Sequence, residues 1–266
     1  HIITSSLEHN SVVRPLEALH KRAGVSYSVA EVDEMDPDKT LQNFRNNIRP
    51  DTKAIVCTYA SNVSGTILPI RQIGELCREK GLFFIVDAAQ AAGVIPINVK
   101  ELGIHCLCAA GHKGLYGAAG TGLLIVADEA RLDTIIEGGT GSNSLELDQP
   151  DFLPDRLESG TINTVGVLTL GAGLDFLNHQ HPGAAYRYEM ALCRHVYDEM
   201  QVMENVELVA KTFRMGEKAP LVSFNIHEVD SNQVAAYLNE KGFALRGGFH
   251  CAGLAHQYLG TLKQGA

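Results

Sequence analysis

Residues 104–122 read IHCLCAAGHKGLYGAAGTG, an apolar run followed directly by a glycine-rich loop. The apolar part predicts a buried strand, and the loop carries Lys113 beside His112. A lysine whose amine is deprotonated by burial or by neighbouring cations can attack a carbonyl, as enzymes that bind an aldehyde cofactor require. A bare His-Lys pair after a strand is more often a surface turn. The interpretation of Lys113 therefore depends on the rest of the chain.

The first half of the chain alternates strand-like and helix-like segments. Residues 54–59, 82–86 and 122–127 read as strands, and residues 70–80 have helical spacing and end before a capping glycine. This alternation favours an α/β architecture with a mainly parallel sheet and crossover helices.

Polar side chains follow several of these predicted strands, at the point where each strand ends. They are Asn62, Asp87, Gln90 and Lys113. In open α/β sheets, ligands bind at the carboxyl ends of the strands. Three strand ends that together deliver four polar residues therefore predict a site at this edge of the sheet.

The second half of the chain has a different pattern of predicted helices and strands. We expect a large domain over residues 1–174 and a smaller α+β domain over residues 175–266. Within the smaller domain, residues 221–226 alternate like a strand, and residues 231–241 read as a helix that Ser231 could cap.

Composition narrows the possible functions. The 266 residues are 45% hydrophobic and carry a net charge of −9, which fits one large or two modest domains and argues against a nucleic-acid groove. No apolar run approaches the roughly 20 residues of a membrane span, and no signal peptide is visible. Six scattered cysteines indicate reduced thiols of a cytoplasmic protein. Cys106 and Cys108 read as core packing, and no metal site is predicted.

Seven segments of the chain resemble, in order, the motifs of class V pyridoxal-phosphate enzymes, particularly the cysteine desulfurase and selenocysteine lyase group. The segments are residues 7–10 (Leu-Glu-His-Asn), 60–62, 86–90, 104–122, 138–142, 157–161 and 246–252. The resemblance covers essentially the whole chain. It implies pyridoxal 5′-phosphate as cofactor and fold type I, with a mainly parallel large domain and a smaller C-terminal α+β domain. It also implies a homodimer with sites near the subunit interface.

The resemblance implies three roles around the cofactor ring. Lys113 would form the Schiff base with the cofactor and later move the substrate α-proton. Asp87 would pair with the pyridinium nitrogen and keep the ring an electron sink. His9 would stack on the ring and act catalytically by shuttling protons. Taken alone, Asp87 could be a turn or cap residue and His9 a solvated loop residue.

Polar contacts to the remaining cofactor groups follow from the same resemblance. Gln90 would bond the phenolic oxygen, and Asn62 that oxygen or the substrate carboxylate. His112 would bind the phosphate, and Thr140 would reach a phosphate across the dimer. Many members carry Ser or Thr where this chain has Ala110. The missing hydroxyl should weaken cofactor binding modestly, by about 0.5–1.5 kcal/mol.

Cys251 resembles the nucleophile that takes sulfur from L-cysteine to become a persulfide, leaving L-alanine. Its thiolate would be stabilised by Arg246, His250 or His256. The sulfur would pass to an acceptor protein. The alternatives are another class V chemistry (an aminotransferase, selenocysteine lyase or C–S lyase) and a cofactor-poor homologue that acts as a scaffold. Family members have a segment before the Glu-His motif and an arginine after the cysteine segment, so we expect pieces missing at both ends.

Overall fold

A computed structural model describes residues 1–128, 130–181 and 183–266. Its main feature is a six-stranded sheet, accompanied by a separate two-stranded sheet. The strands are β1 Ile2–Ser5, β2 Tyr27–Ala30, β3 Ala54–Thr58, β4 Phe83–Asp87, β5 Cys106–Ala110, β6 Gly122–Val126, β7 Val206–Leu208 and β8 Phe224–Ile226. The helices are α1 Asn10–Ala23, α2 Pro37–Asn46, α3 Ile70–Lys80, α4 Val99–Leu102, α5 Thr164–Asn178, α6 Ala184–Gln201, α7 Ser231–Glu240 and α8 Gly253–Leu259.

The large sheet has the strand order β2-β1-β3-β4-β5-β6. Strands β1 to β5 are parallel, and β6 pairs antiparallel with β5. All five residues of β3 are buried, as expected for a central strand of a parallel sheet covered on both faces. The structure therefore confirms the predicted α/β class with a mainly parallel sheet.

The core lies between this sheet and its helices. Its largest fully buried apolar side chains include Phe44 from α2, Phe84 from β4 and Ile73 from α3. Helix α3 begins and ends at the predicted residues, and Gly81 follows it in the left-handed conformation with φ +64°. A well-packed core of this kind fixes the positions of the strand ends, after which the predicted polar residues follow.

The C-terminal region differs from the prediction in two details. The strand predicted at residues 221–226 is shorter, since β8 covers only Phe224–Ile226 and Leu221 N donates to the local Ala219 carbonyl instead of to a neighbouring strand. Asp230, not Ser231, caps α7, since its carboxylate accepts from Asn232 N while Ser231 Oγ donates to Gln264 O. The domain boundary drawn after residue 174 stays a prediction, and α5 runs across it.

The cysteines are only partly as predicted. Cys57, Cys77 and Cys106 are buried, but Cys108 is exposed and is not a core residue. No helix in the described part of the chain combines the length and apolarity needed to cross a bilayer. Among the same residues, no three His, Cys, Asp or Glu side chains cluster as metal ligands would.

Candidate active site

A cavity of about 350 Å³ opens at the carboxyl ends of β3, β4 and β5. It lies where ligands bind in open α/β sheets. Its lining residues are His9, Ser11, Thr58, Ala60, Asn62, Asp87, Ala89, Gln90, Ala110, His112, Lys113, Arg246, His250 and Cys251. Every residue that follows a strand in the sequence argument is therefore present around one cavity.

The loop that carries Lys113 requires its glycines for close packing. Gly111 N donates to Thr121 O, and a Cβ on Gly111 would lie 2.2 Å from Thr121 Oγ1. A Cβ on Gly114 would lie 2.6 Å from the Ala92 carbonyl oxygen. Only residues without a side chain let this loop approach the neighbouring backbone so closely. The Gly-His-Lys-Gly sequence thus holds Lys113 at the end of β5.

Lys113 lines the cavity as an exposed residue, so its amine is only partly desolvated. Burial lowers the pKa of this amine, Asp87 opposes the shift, and the nearby Arg246 guanidinium adds to it. A lysine with a lowered pKa has a larger neutral fraction, which is the nucleophilic form.

Asp87 is fixed by two hydrogen bonds at the end of β4. Its Oδ1 accepts from Ala89 N at 2.9 Å, and its Oδ2 accepts from Ser11 Oγ at 3.3 Å. Ser11 also lies 2.8 Å from His9 Nδ1 through its hydroxyl. A chain of polar contacts thus links His9, Ser11 and Asp87.

His9 is the N-cap of α1, and its Nδ1 accepts from Ser11 N at 3.1 Å. An accepting Nδ1 carries no proton, which leaves the neutral ring with its hydrogen on Nε2. Burial also lowers the pKa of His9, although Asp87 opposes the shift. The structure therefore presents a neutral imidazole to the cavity.

The amide of Asn62 joins the loop after β3 to the segment around Cys251. Its Nδ2 donates to the His250 carbonyl at 2.9 Å. Cys251 itself is exposed, and its carbonyl accepts from Asn10 N at 2.7 Å. These contacts bring the thiol to the cavity that also contains Lys113 and Arg246.

The resemblance predicts that His112 and Thr140 bind phosphate, and the structure places only His112 among the described residues that line the cavity. His112 lines the cavity and is exposed. Thr140 is not among the described residues that line it, and its hydroxyl lies 3.0 Å from Ser142 Oγ. Its contact across a dimer stays a prediction.

Two residues near the site were not singled out from the sequence. Ser11 lies between His9 and Asp87. Its position two residues after His9 is the one feature of the sequence that could have pointed to it. Glu8 is fully buried just after β1, where its Oε1 accepts from Ser5 Oγ and from Thr58 N at 2.8 Å. Burial raises the pKa of Glu8 to about 8. No sequence pattern distinguishes such a carboxyl from an exposed one.

Comparison with known proteins places the chain in a family. The family model for aminotransferase class-V matches residues 1–264. A probable cysteine desulfurase from Methanothermobacter thermautotrophicus is 27% identical over 99% of this chain and 66% of that protein. A probable cysteine desulfurase from Xylella fastidiosa is 31% identical over 98% of this chain and 62% of that protein.

A solved structure has a closely similar fold. The cysteine desulfurase of Escherichia coli in an S-sulfonic acid form superposes with a TM-score of 0.88 at 26% identity, covering 98% of this chain and 65% of that one. The chain thus spans slightly less than two thirds of the length of these relatives.

Proposed function

The chain belongs to the class V aminotransferase family, and we propose that it is a pyridoxal-phosphate-dependent cysteine desulfurase that carries sulfur on Cys251. The observation that carries the proposal is the presence of Lys113, Asp87 and Cys251 around one cavity. The similarity to proteins described as cysteine desulfurases supports the choice of reaction within the family.

The cavity offers a complementary group for each part of the cofactor. Lys113 has an amine for the aldehyde, Asp87 a carboxylate for the ring nitrogen, and His9 a neutral ring for the aromatic face. Asn62 and Gln90 have amides for the phenolic oxygen, and His112 can donate to the phosphate. When bound, pyridoxal 5′-phosphate supplies an electron sink for charge that develops on the substrate.

Lys113 and Asp87 would divide the proton chemistry. The neutral fraction of Lys113 is the form that can accept the substrate α-proton at Nζ. Asp87, oriented by Ala89 N and Ser11 Oγ, would keep a proton on the ring nitrogen. Because Ser11 N donates to His9 Nδ1, the same residue also orients the imidazole.

Cys251 would perform the sulfur transfer. The Cβ–S bond of L-cysteine breaks, its sulfur forms an S–S bond with Cys251 Sγ, and the carbon skeleton leaves as L-alanine after gaining a proton. The attacking species is a thiolate, and the Arg246 guanidinium in the same cavity would stabilise it. No external oxidant is needed, since the substrate sulfur moves directly to the thiol.

We further propose that the protein works as a homodimer in the cytoplasm and passes its sulfur to an acceptor protein. All six cysteines are thiols, which suits a reducing compartment. Val165 and Leu168 of α5 are 74% and 68% exposed, and such apolar side chains are suited to a subunit interface.

The decisive experiment is a visible spectrum of the protein with added cofactor, combined with an alanine assay on L-cysteine. We expect a cofactor absorbance band, and Lys113→Ala should abolish it and lower alanine formation by about 10²–10⁴-fold. Lys53→Ala, which removes an exposed lysine away from the cavity, is the matched control.

Cys251→Ser separates the desulfurase from its rivals. It should keep the cofactor band but reduce alanine formation to background, whereas Cys108→Ser, at another exposed cysteine, should behave as wild type. Wild-type alanine formation in Cys251→Ser would show that Cys251 is not the sulfur acceptor, whereas a 2-oxo acid in place of alanine in the wild type would indicate an aminotransferase or C–S lyase. A wild-type protein that never acquires the band would be a scaffold.

A further inference from the structure

The segment that carries Cys251 makes a sharp turn at residues 249–252, which we call the cysteine turn. His250 and Cys251 have φ of +48° and +54°, both in the left-handed region. This region is disfavoured for residues with a Cβ, and two such residues in succession persist only where surrounding contacts impose it. The turn is closed by its own hydrogen bond from Ala252 N to Phe249 O at 2.8 Å, and contacts with neighbouring segments supply the rest of its support.

Hydrogen bonds hold the turn from three directions. Asn62 Nδ2 donates to the His250 carbonyl at 2.9 Å, from the loop after β3. Asn10 N donates to the Cys251 carbonyl at 2.7 Å, from the start of α1. His250 Nε2 lies 2.8 Å from the main-chain oxygen of Ala266. Of the three, Asn62 alone uses a side-chain donor from the large sheet.

Below the turn lies His256, a fully buried residue of α8. Its ring stacks on that of His250 with centroids 5.9 Å apart and an interplanar angle of 28°. Its edge contact with Phe249 has a centroid distance of 5.3 Å and an angle of 84°. Nδ1 lies 2.6 Å from Thr261 Oγ1, which fixes the ring orientation.

The chemistry of His256 suits a supporting ring better than a proton carrier. Burial lowers the pKa of His256, and the adjacent His250 adds to the shift. Its Nε2 is buried and has no hydrogen-bond partner among the described residues. A neutral ring can stack on His250 without charge repulsion, so the stack itself is the contact that His256 supplies.

We infer that Asn62 and His256 are positioning residues that clamp the cysteine turn between the large sheet and α8 and hold Cys251 in the active-site cavity. The catalytic meaning of this clamp rests on the proposed function, whereas the clamp itself concerns only the chain. Asn62 thereby has a second role beside the cofactor contact, because its Nδ2 already bonds His250.

The clamp is tested by the reactivity of Cys251 towards N-ethylmaleimide, followed residue by residue by peptide mass spectrometry. Asn62→Asp removes the donor, and His256→Ala removes the ring. Cys251 is exposed already, so each variant should change its labelling rate by displacing the thiol from its position beside Arg246, by about fivefold for the loss of one net hydrogen bond or a comparable contact. His256→Phe, which keeps a stacking ring, should retain the wild-type rate.

Internal references separate a released turn from a damaged fold. Exposed Cys108 should label equally in every variant, and buried Cys57 and Cys77 should stay unlabelled. If His256→Ala exposes Cys57 and Cys77, Asn62→Asp decides the question, since that residue lies outside the apolar core. Labelling of Cys251 at the wild-type rate in the variants with intact cores would overturn the inference.

An activity measurement then distinguishes the clamp from the proposed reaction. His256→Ala should keep the cofactor absorbance band but lower kcat for alanine formation more than it raises KM, because the nucleophile and not the cofactor is displaced. Absence of alanine formation in the wild type would reject the desulfurase proposal and leave the labelling result unaffected. An unchanged kcat in a variant with altered labelling of Cys251 would reject the positioning role.

Discussion

The two sides of the candidate site are held in place by different means. On the sheet side, Asp87 ends a paired strand, and Lys113 follows one through a tightly packed glycine loop. On the cysteine side, Cys251 lies in a left-handed turn held by single hydrogen bonds and a ring stack. Main-chain pairing supports one side, and individual contacts support the other.

This difference predicts different responses to substitution. A strand end keeps its backbone position when a side chain is changed, since the ladder hydrogen bonds remain. A turn in a disfavoured conformation loses its geometry when one external contact is removed. Changes on the sheet side should therefore alter chemistry or charge, whereas changes on the cysteine side should displace the nucleophile.

The largest expected effect is at a buried ion pair outside both sides of the site, between Glu34 after β2 and Lys218 between β7 and β8. Lys218 Nζ lies 3.4 Å from Glu34 Oε1 and donates to Thr66 Oγ1 at 2.7 Å, with the Lys218 side chain fully buried. Lys218→Met would leave the Glu34 charge buried without its cation. We expect the free energy of unfolding to fall by about 3–5 kcal/mol, measured by urea unfolding followed by circular dichroism.

A double variant tests whether the unpaired charge causes this loss. Glu34→Gln combined with Lys218→Met should recover most of the stability, because the amide keeps a hydrogen-bonding group near Thr66 and Lys211 N without the charge. A loss below about 1 kcal/mol in Lys218→Met would mean that the pair is solvated and contributes as little as a surface ion pair.

The next largest expected effect is on the pH dependence of stability and concerns Glu8, on the sheet side. Burial raises its pKa from an ordinary 4.5 to about 8, so the folded protein retains a proton that the unfolded chain has lost. The stability that this proton contributes is complete below pH 4.5 and falls as the pH rises towards 8. The slope is about 1.4 kcal/mol per pH unit, or roughly 2.7 kcal/mol between about pH 5.5 and 7.5.

Glu8→Gln should remove this component of the pH dependence, because glutamine does not titrate. Urea unfolding at the two pH values checks it, with Glu75→Gln at an exposed position as the control. Equal pH dependence in wild type and Glu8→Gln would show that the carboxyl is ionised in the folded protein.

The sequence predicts the fold more completely than it predicts the detailed contacts of the site. Hydrophobic runs and glycine punctuation located α3 and the buried strands, and the ends of β4 and β5 located Asp87 and Lys113. These features depend on local periodicity and on the rule that ligands gather at strand ends.

The remainder depends on contacts between distant segments. Cys106 and Cys108 share one face of β5, yet only Cys106 is covered, because strand alternation does not encode what packs on a face. Asp230 competes with Ser231 for the cap of α7, and the distant Gln264 carbonyl decides the outcome. The left-handed conformation of Cys251 likewise follows from neighbours far away in sequence, with Asn62 the clearest case.

The smallest expected effect tests the sheet side through Ser11. Ser11→Ala removes the hydroxyl that lies 3.3 Å from Asp87 Oδ2 and 2.8 Å from His9 Nδ1 but leaves the Asp87 bond to Ala89 N. We expect a weakening of cofactor binding by about 0.5–1.5 kcal/mol, roughly two- to twelvefold in the dissociation constant. Titration of the visible cofactor band measures it, with exposed Ser144→Ala as control.

Because the backbone of the strand end should not move, maleimide labelling of Cys251 should stay at the wild-type rate. Faster labelling in Ser11→Ala would show that the two sides of the site are not held independently.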